Sequence, residues 1–350
     1  MEQLHDASAL KKRKVVGNWL LIGVGMIVIQ VLLGGITRLT ESGLSITEWK
    51  PITGILPPLG DAAWQELFDK YKQTDQFKYV HQHFSMSDFK LIFFWEWFHR
   101  VWARMMGMVF LIGFIYFLVR RYFSKDMIGP LVLLFVLGGV QGFIGWIMVA
   151  SGLVPEKYYV GHIELTTHFL AALFLLSYTL WFALRLRIQP EQQITLPHWR
   201  KRIIILGVLI VVQLMYGGFM AGLKAAITAP TWPTINGNWI PPVDWSEGGL
   251  VYVLSFNPLW VHLMHRGLAY LIAGLVLGGW WMSRGRFAGL SNRLRNALLV
   301  ITLGQILLGI LTVMNATNDT ALLYLGVAHQ FTAMVLVMVW VSLLYLVRKA

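Results

Sequence analysis

The run Phe94-Trp95-Glu96-Trp97-Phe98-His99-Arg100 places a carboxylate, an imidazole and a guanidinium in an otherwise apolar stretch. Ionisable groups at membrane depth are costly, so a cluster of three indicates a functional site. Glu96 lies three residues before His99 and four before Arg100, so the three side chains share one face of a helix. That face combines an acid/base group, a metal ligand and a cation. The simpler alternative for Glu96 is an ion pair with Arg100.

The composition indicates a membrane protein. Of the 350 residues, 57% are hydrophobic and 13% are charged, whereas soluble domains have roughly 25% charged residues. The net charge of +12 does not indicate nucleic-acid binding, because the charges separate apolar segments instead of forming one basic face. The chain has no cysteine, which excludes disulfides, thiolate metal sites and cysteine catalysis.

Eight apolar runs have about the 20 residues that a helix needs to cross the hydrocarbon layer. The first run is too long for a secretory signal, and it lacks the cleavage pattern of one. Residues 1–16 before it are predicted to form a polar tail. The runs predict an all-α membrane protein with eight transmembrane helices near 17–36, 89–118, 128–149, 163–184, 203–222, 259–283, 296–314 and 322–346.

Lys and Arg are unevenly distributed between the runs. The N-terminus and segments 119–127, 185–202, 284–295 and 347–350 hold 18 of them, and the intervening segments hold 7. Because basic residues near helix ends stay in the cytoplasm, both termini are predicted to be cytoplasmic. Segments 37–88 and 223–258 are then outside. Residues 60–83 have amphipathic helical spacing and are predicted to lie on the outer membrane surface.

The two halves of the chain repeat one another. The matching pairs are Gln30-x3-Gly34-Gly35 with Gln213-x3-Gly217-Gly218, Trp49 and Pro57-Pro58 with Trp232 and Pro241-Pro242, His99-Arg100 with His265-Arg266, and His168 with His329. The repeat predicts two pseudo-symmetric four-helix bundles in parallel, residues 17–190 and 191–350. The glycine pairs, with Gly142, Gly145, Gly274 and Gly278, predict close helix approach.

Each half carries one pair of repeated histidines, His99 with His168 and His265 with His329. Helix bundles bind haem through one His from each of two helices. The separations along the chain, 69 and 64 residues, are nearly equal, as two equivalent sites require. A lone buried His is more often a packing residue, but packing gives no reason to repeat both members of each pair. The pattern therefore predicts one haem in each half, with these four histidines as iron ligands.

The halves differ beside the ligands. Alignment of His99 with His265 places Glu96 opposite His262, so only the N-terminal half has a carboxylate there. A site that moves protons needs such a group, and Glu96 is therefore predicted to be catalytic. Arg100 and Arg266 are predicted to bind haem propionates.

The remaining histidines are predicted to have lesser roles. His162 is predicted to lie at the interface near a haem edge or solvent, and His262 to support the neighbouring ligand. Four others fall in polar segments and are predicted to be solvated: His5, His81, His83 and His198.

These motifs resemble one known family. The run from Gly34 to Ser45, followed by Trp49-Lys50-Pro51 and by Gly54-Ile55-Leu56-Pro57-Pro58, resembles the signature after the first span of haem A synthases. The other similar markers are Glu96-Trp97-Phe98-His99-Arg100, Thr231-Trp232-Pro233, His265-Arg266 and His329-Gln330. The resemblance covers the whole chain. Because the first outer loop lacks the cysteine pair of one bacterial branch, the chain resembles the cysteine-free, mitochondrial-type branch.

The resemblance implies an oxidoreductase that converts the C8 methyl of haem O to a formyl group, giving haem A for terminal oxidases. It implies a haem b cofactor on His265, His329 and Arg266. It implies haem O, the substrate, on His99, His168 and Arg100, with Glu96 at the position of the acidic residue needed for activity.

The resemblance also implies a location and partners. The location is the cell inner (plasma) membrane, with the haem sites toward the periplasm. The partners are haem O synthase (protohaem farnesyltransferase), cytochrome oxidase assembly factors, membrane lipid, an unidentified electron acceptor and a possible second copy of the chain; nucleic acid is not among them.

Three other functions stay open. A dihaem b electron-transfer protein or quinone oxidoreductase would keep two permanent haem b groups. A haem chaperone or transporter would bind without conversion, although the short-looped spans show no alternating-access element. A copper or zinc protein would bring the four imidazoles together at one metal ion. The separation of the four histidines into two halves disfavours such a site.

Overall fold

The structure is a computed structural model that describes residues 2–48, 54–243 and 245–348, without the side chains of residues 2–7 and 247. Within these residues, eight helices are long and apolar enough to cross a membrane. They are α1 Glu2–Leu39, α4 Met86–Val119, α5 Lys125–Gly152, α6 His162–Arg187, α7 Pro197–Gly222, α10 Pro258–Met282, α11 Gly289–Met314 and α12 Asp319–Leu346. The prediction of an all-α membrane protein with eight transmembrane helices is confirmed.

The shorter elements connect these helices. They are α2 Asp61–Lys72, α3 Asp75–Tyr79, α8 Ala225–Thr228, α9 Leu250–Phe256, two 3₁₀ turns at Pro190–Gln192 and Trp245–Glu247, and the strands β1 Ile194–Thr195 and β2 Val347–Arg348. The two strands pair in parallel, which joins the segment after α6 to the end of the chain. We call this the terminal end of the bundle. The opposite end, which carries residues 40–48, 54–85, 223–243 and 245–257, is the long-loop end.

All eight membrane helices begin earlier than the hydropathy predicts, and α1 and α4 show why. α1 begins at Glu2, because residues 2–16 contain no Gly or Pro and Lys11–Lys14 are good helix formers. α4 begins at Met86, where Ser85 and Asp88 form reciprocal side-chain and backbone hydrogen bonds. This capping box satisfies backbone donors that the first helical turn leaves unpaired. α4 therefore extends toward the long loops.

The first and fourth helices of each half form the centre of the molecule. Between 33% and 39% of the membrane-spanning residues of α1, α6, α7 and α12 are buried, against 6% in α4 and in α5. α1 contacts α4 and α6 in one half, as α7 contacts α10 and α12 in the other. Across the halves, α12 packs on α1 and α6, and α6 packs on α7. Corresponding helices thus occupy corresponding places.

The second glycine of each Gly-Gly pair lies at the interface between the halves. A Cβ at Gly35 would overlap the side chain of Gln330 on α12, and one at Gly218 would be 2.5 Å from Thr166 Oγ1 on α6. Gln330 Nε2 donates to the carbonyl oxygen of Val31, 3.0 Å away, across the same interface. The expected close helix approach is therefore present at these two glycines.

Replacement of Gly218 by alanine should destabilise the packing of α7 on α6. The new Cβ would also lie 3.0 Å from Cβ of Thr166, and a β-branched side chain has few alternative rotamers. We expect Gly218→Ala to cost about 1–3 kcal/mol, measured as a lower Tm in detergent. Gly25→Ala is the control, because no atom lies within 4 Å of the position its Cβ would take. Equal Tm values for the two variants would contradict the tight packing of Gly218 against α6.

Residues 61–79 are helical as expected, but as two helices, α2 and α3. Phe68 and Tyr71 are buried against Phe89, Ile92 and Phe93 at the start of α4. The apolar face is thus covered by the first turns of α4 instead of lying on the membrane surface as predicted.

His81 is buried, and the prediction that it is solvated is wrong. Its Nδ1 lies 2.7 Å from Tyr71 Oη and its Nε2 lies 3.3 Å from Glu41 Oε2. Glu41 also forms an ion pair with Lys224 from the other half. Burial raises the pKa of Glu41, but hydrogen bonds from His81 and Lys224 outweigh it and lower the pKa from 4.5 to about 2. Ionic contacts therefore join the two halves at the long-loop end.

The Glu41 pKa predicts how stability depends on pH. Because the folded-state pKa is depressed, the stabilisation by ionised Glu41 is complete above a pH of about 4.5 and is lost as the pH falls toward 2. A shift of this size corresponds to on the order of 3 kcal/mol. We expect Glu41→Gln to lower the Tm at pH of about 7 and to flatten the decline in Tm below pH of about 4.5. Glu66→Gln, at an exposed position, is the control. If the Tm of Glu41→Gln fell with decreasing pH as steeply as the wild-type Tm, the stabilising role of ionised Glu41 would be refuted.

Candidate functional site

Each of the four predicted ligand histidines contacts a Gln on the preceding membrane helix. The amide nitrogen lies 3.1 Å from a ring nitrogen in Gln30–His99 and Gln213–His265, and 3.2 Å in Gln141–His168 and Gln305–His329. These glutamines belong to α1, α7, α5 and α11 respectively. The same contact is therefore built twice in each half.

A glycine four residues after each glutamine makes room for the ring. A Cβ added there would lie 2.7 to 3.3 Å from the ring Cε1: Gly34 with His99, Gly145 with His168, Gly217 with His265, and Gly309 with His329. Sequence reasoning assigned the first glycine of each Gly-Gly pair to helix packing, and it missed Gln141-x3-Gly145 and Gln305-x3-Gly309. The recurring Gln-x3-Gly spacing in all four helices was the available signal.

The other predicted packing glycines do not mediate close helix approach. Positions for a Cβ at Gly142, Gly274 and Gly278 have no atom within 4 Å. That prediction is therefore wrong for these three, since their surroundings would accept a larger side chain.

The C-terminal pair has a geometry that fits one iron between two imidazoles. The ring centroids of His265 and His329 are 6.4 Å apart. Two imidazole nitrogens each about 2 Å from a shared metal ion place the ring centres about 6 Å apart. All four predicted ligand histidines are only partly buried. The residues present therefore fit bis-histidine haem ligation.

The N-terminal pair is assembled in the same way. His99 and His168 each contact their own Gln and lie against their own Gly. Among the described residues, no three His, Asp or Glu side chains converge in a way that could hold a metal ion. The described geometry is that of two separate pairs, and it gives no support to a copper or zinc site built from all four imidazoles.

Glu96 is buried and fully hydrogen bonded. One carboxylate oxygen accepts from Ser45 Oγ at 2.7 Å and from the Ile46 backbone N–H at 2.8 Å. The other accepts from Arg100 Nη2 at 2.5 Å. The ion pair considered as the simpler alternative is therefore present. It coexists with contacts that tie the carboxylate to the loop after α1.

His262 is the structural counterpart of Glu96. Its Nε2 lies 2.9 Å from Arg266 Nη2, as Glu96 lies against Arg100. Each arginine also donates to backbone carbonyls of the long loop in its half. Arg100 donates to Ile46 O at 3.2 Å, and Arg266 donates to Thr231 O at 2.9 Å and to Pro233 O at 2.7 Å. The halves share one frame and differ in whether a carboxylate or an imidazole meets the arginine.

Two other predicted features have different outcomes. Thr231-Trp232-Pro233 lies in the loop that Arg266 holds, whereas its counterpart Trp49-Lys50-Pro51 lies outside the described residues. His162 packs between Phe219 and Phe256, and its Nε2 lies 3.0 Å from Ser255 O. His162 therefore joins α6 to the C-terminal half. Binding of haem propionates by Arg100 and Arg266 stays a prediction.

Comparison with known proteins identifies the family of the chain. Residues 17–341 match the COX15-CtaA family of cytochrome oxidase assembly proteins. The chain belongs to this family. The heme A synthase of Flavobacterium psychrophilum is 37% identical over 343 residues, which cover 93% of this chain and 96% of that protein. The heme A synthase of Rhodospirillum centenum is 40% identical over 343 residues, with 96% and 89% covered. The heme A synthase of Parvibaculum lavamentivorans is 39% identical over 325 residues, with 92% of each chain covered.

The family predicted from the motifs is thus confirmed. Family membership and the eight spans together make this COX15-CtaA protein a multi-pass membrane oxidoreductase. Its four repeated histidine sites lie in the part of the chain that the family match covers.

Substitution of Gly145 should disturb the N-terminal pair selectively. A Cβ at this position would lie 2.7 Å from Cε1 of His168, so we expect Gly145→Ala to displace the ring. The expected result is about tenfold or greater weakening of haem binding in the N-terminal half, measured by haem titration of purified protein. Gly142→Ala on the same helix is the matched control, because it meets no atom. Identical titrations for the two variants would show that the glycine does not position the ligand.

Proposed function

We propose that the chain is a haem A synthase that oxidises the C8 methyl of haem O to a formyl group, producing haem A for terminal oxidases. The family match and the names of the full-length relatives support this proposal. The structural observation that carries it is a duplicated histidine frame in which, among the described residues, only the N-terminal half has a buried carboxylate. One half is thus suited to hold a permanent cofactor and the other to carry out a reaction.

In this proposal the C-terminal half holds haem b. His265 and His329 are the iron ligands, supported by the 6.4 Å separation of their rings. Arg266, whose guanidinium is held by the long loop, lies beside the site and is suited to a propionate. Haem b, when bound, supplies one-electron redox chemistry. The substrate haem O binds in the N-terminal half, on His99 and His168 with Arg100.

Glu96 is proposed to accept protons in the N-terminal half. Oxidation of a methyl group to a formyl group removes hydrogen from carbon, and the protons need a nearby acceptor. Arg100, which is paired with Glu96, also lines a cavity of about 60 Å³ together with Trp146 and Ala150. A cavity of this size holds water. The ion pair with Arg100 thus places the Glu96 carboxylate beside a space that can hold water.

The proposed location is the cell inner (plasma) membrane, with both termini in the cytoplasm and the haem sites toward the periplasm. The distribution of Lys and Arg supports this orientation. The proposed partners are haem O synthase, which supplies the farnesylated substrate, cytochrome oxidase assembly factors, and an electron acceptor outside this chain. Association of the chain with itself is also part of the proposal.

A dihaem b electron-transfer protein is the second candidate, because both halves carry the same Gln, Gly and His arrangement. Porphyrins extracted from purified protein and identified by mass distinguish the two functions. We expect haem b together with haem O and haem A when haem O synthase is coexpressed, because the N-terminal site then receives its substrate. Two equivalents of haem b and no farnesylated porphyrin would favour the second candidate.

Glu96→Gln tests the role of the carboxylate. The amide keeps the size of the side chain and an oxygen that can accept from Ser45 and Ile46, but it is a very weak base. We expect normal haem content and a loss of haem A formation of about a hundredfold or more, measured by the porphyrin masses. Glu66→Gln on the exposed α2 is the control. Conversion at the wild-type rate by Glu96→Gln would remove Glu96 from the mechanism.

A further inference from the structure

We propose that a cavity at the terminal end of the bundle binds the phosphate of an anionic phospholipid. The cavity has a volume of about 410 Å³ and is lined by residues from both halves of the chain: Trp181, Gln193, Arg200, Tyr345 and Arg348. None of these residues belongs to the histidine sites, so the proposal goes beyond the proposed function. Only the leaflet to which the lipid belongs, the cytoplasmic one, rests on the proposed orientation.

The short parallel sheet brings the two arginines of the cavity together. β1 and β2 pair with Thr195 opposite Arg348. Arg200, in the first turn of α7, donates through Nη1 to Leu344 O at 2.9 Å and to Val347 O. Arg348 directly follows Val347 in the chain. The guanidinium of Arg200 is therefore fixed beside the segment that carries Arg348.

Both arginines keep donors for a further acceptor. The hydrogen bonds of Arg200 within the described residues use Nη1 alone. Arg348 donates through Nε to Gln193 Oε1, and Gln193 Nε2 donates to Tyr345 O at 2.7 Å. A guanidinium has five N–H donors, and a phosphate can accept from two of them in parallel. Two guanidinium groups beside one cavity are therefore suited to bind a phosphate.

The charge around the cavity favours an anion. None of the described residues that line it is Asp or Glu. The segments predicted to be cytoplasmic hold 18 Lys and Arg but only four acidic residues, which are Glu2, Asp6, Asp126 and Glu191. Asp126 already pairs with Arg13 and Arg185. A positive surface of this kind attracts anionic lipids, and basic pockets between transmembrane helices bind their headgroups.

The aromatic walls of the cavity favour a lipid over a free anion. The rings of Trp181 and Tyr345 pack edge to face, with their centroids 5.0 Å apart. Trp181 lies six residues before the end of α6, which is about 9 Å along the helix axis. Tyr345 is the penultimate residue of α12. Because Trp and Tyr at helix ends lie where headgroups meet hydrocarbon, a phospholipid can place its phosphate at the arginines and its glycerol and acyl chains along the rings.

The test measures lipid binding to purified full-length protein. Delipidated protein in detergent is titrated with dioleoyl phosphatidylglycerol or with dioleoyl phosphatidylcholine, which has the same acyl chains and no net charge. Native mass spectrometry reports the bound lipid. We expect phosphatidylglycerol to bind at least about tenfold more tightly than phosphatidylcholine, because an anionic headgroup keeps its full attraction to two guanidinium groups.

Arg348→Gln and Arg200→Gln should each abolish this preference, because each removes charged donors to the phosphate. Arg293→Gln is the matched control, since Arg293 is exposed at the same end of the bundle and does not line the cavity. Arg200 also holds the carbonyl of Val347, so its variant is compared only if its Tm without lipid is unchanged. Otherwise Arg348→Gln, at an exposed position, decides the result.

A preference that the cavity variants lose and that Arg293→Gln keeps would support the proposal. Equal binding of the two lipids by the wild-type protein would overturn it, as would equal losses in Arg293→Gln and Arg348→Gln, since the attraction would then come from the whole surface. Inorganic phosphate is added as a competitor. Displacement of phosphatidylglycerol by an equal concentration of phosphate would also overturn the proposal, because the cavity would then be a site for a soluble anion.

Discussion

The contact between a histidine ring and a glutamine on the neighbouring helix is the interaction on which the rest of this structure depends. A polar side chain at membrane depth has no water to bond to, so its partner has to be another group of the protein. Four such contacts hold His99, His168, His265 and His329. In each contact, the residue one helical turn after the glutamine is a glycine, so no side chain at that position displaces the ring.

The duplicated frame also explains how one half can differ in function without a different fold. Arg100 and Arg266 hold the long loops of their halves in the same way, through backbone carbonyls. The residue four positions before each arginine can therefore change without loss of the frame. It is Glu96 in one half and His262 in the other, so a buried carboxylate in one half takes the place of a buried imidazole in the other.

Several site features were predictable because they depend on residue type and spacing. Glu96 and Arg100 are four residues apart on one helix, so their ion pair follows from helix geometry. The ligand histidines follow from the repeat. Other features were not predictable, since they depend on neighbours distant in sequence. His81 lies in a polar segment, yet it is buried because Tyr71 and Glu41 surround it.

The sequence by itself determined the eight spans, the duplication and the four histidines, because hydropathy, helical period and repeat spacing are local properties. Only the tertiary structure decided which side each glycine faces. Gly34 makes room for His99 within its half, while the adjacent Gly35 lies against Gln330 of the other half. Two neighbouring residues on a helix point about 100° apart, so a Gly-Gly pair serves two interfaces. Which helices occupy those interfaces depends on packing between the halves, which no local pattern records.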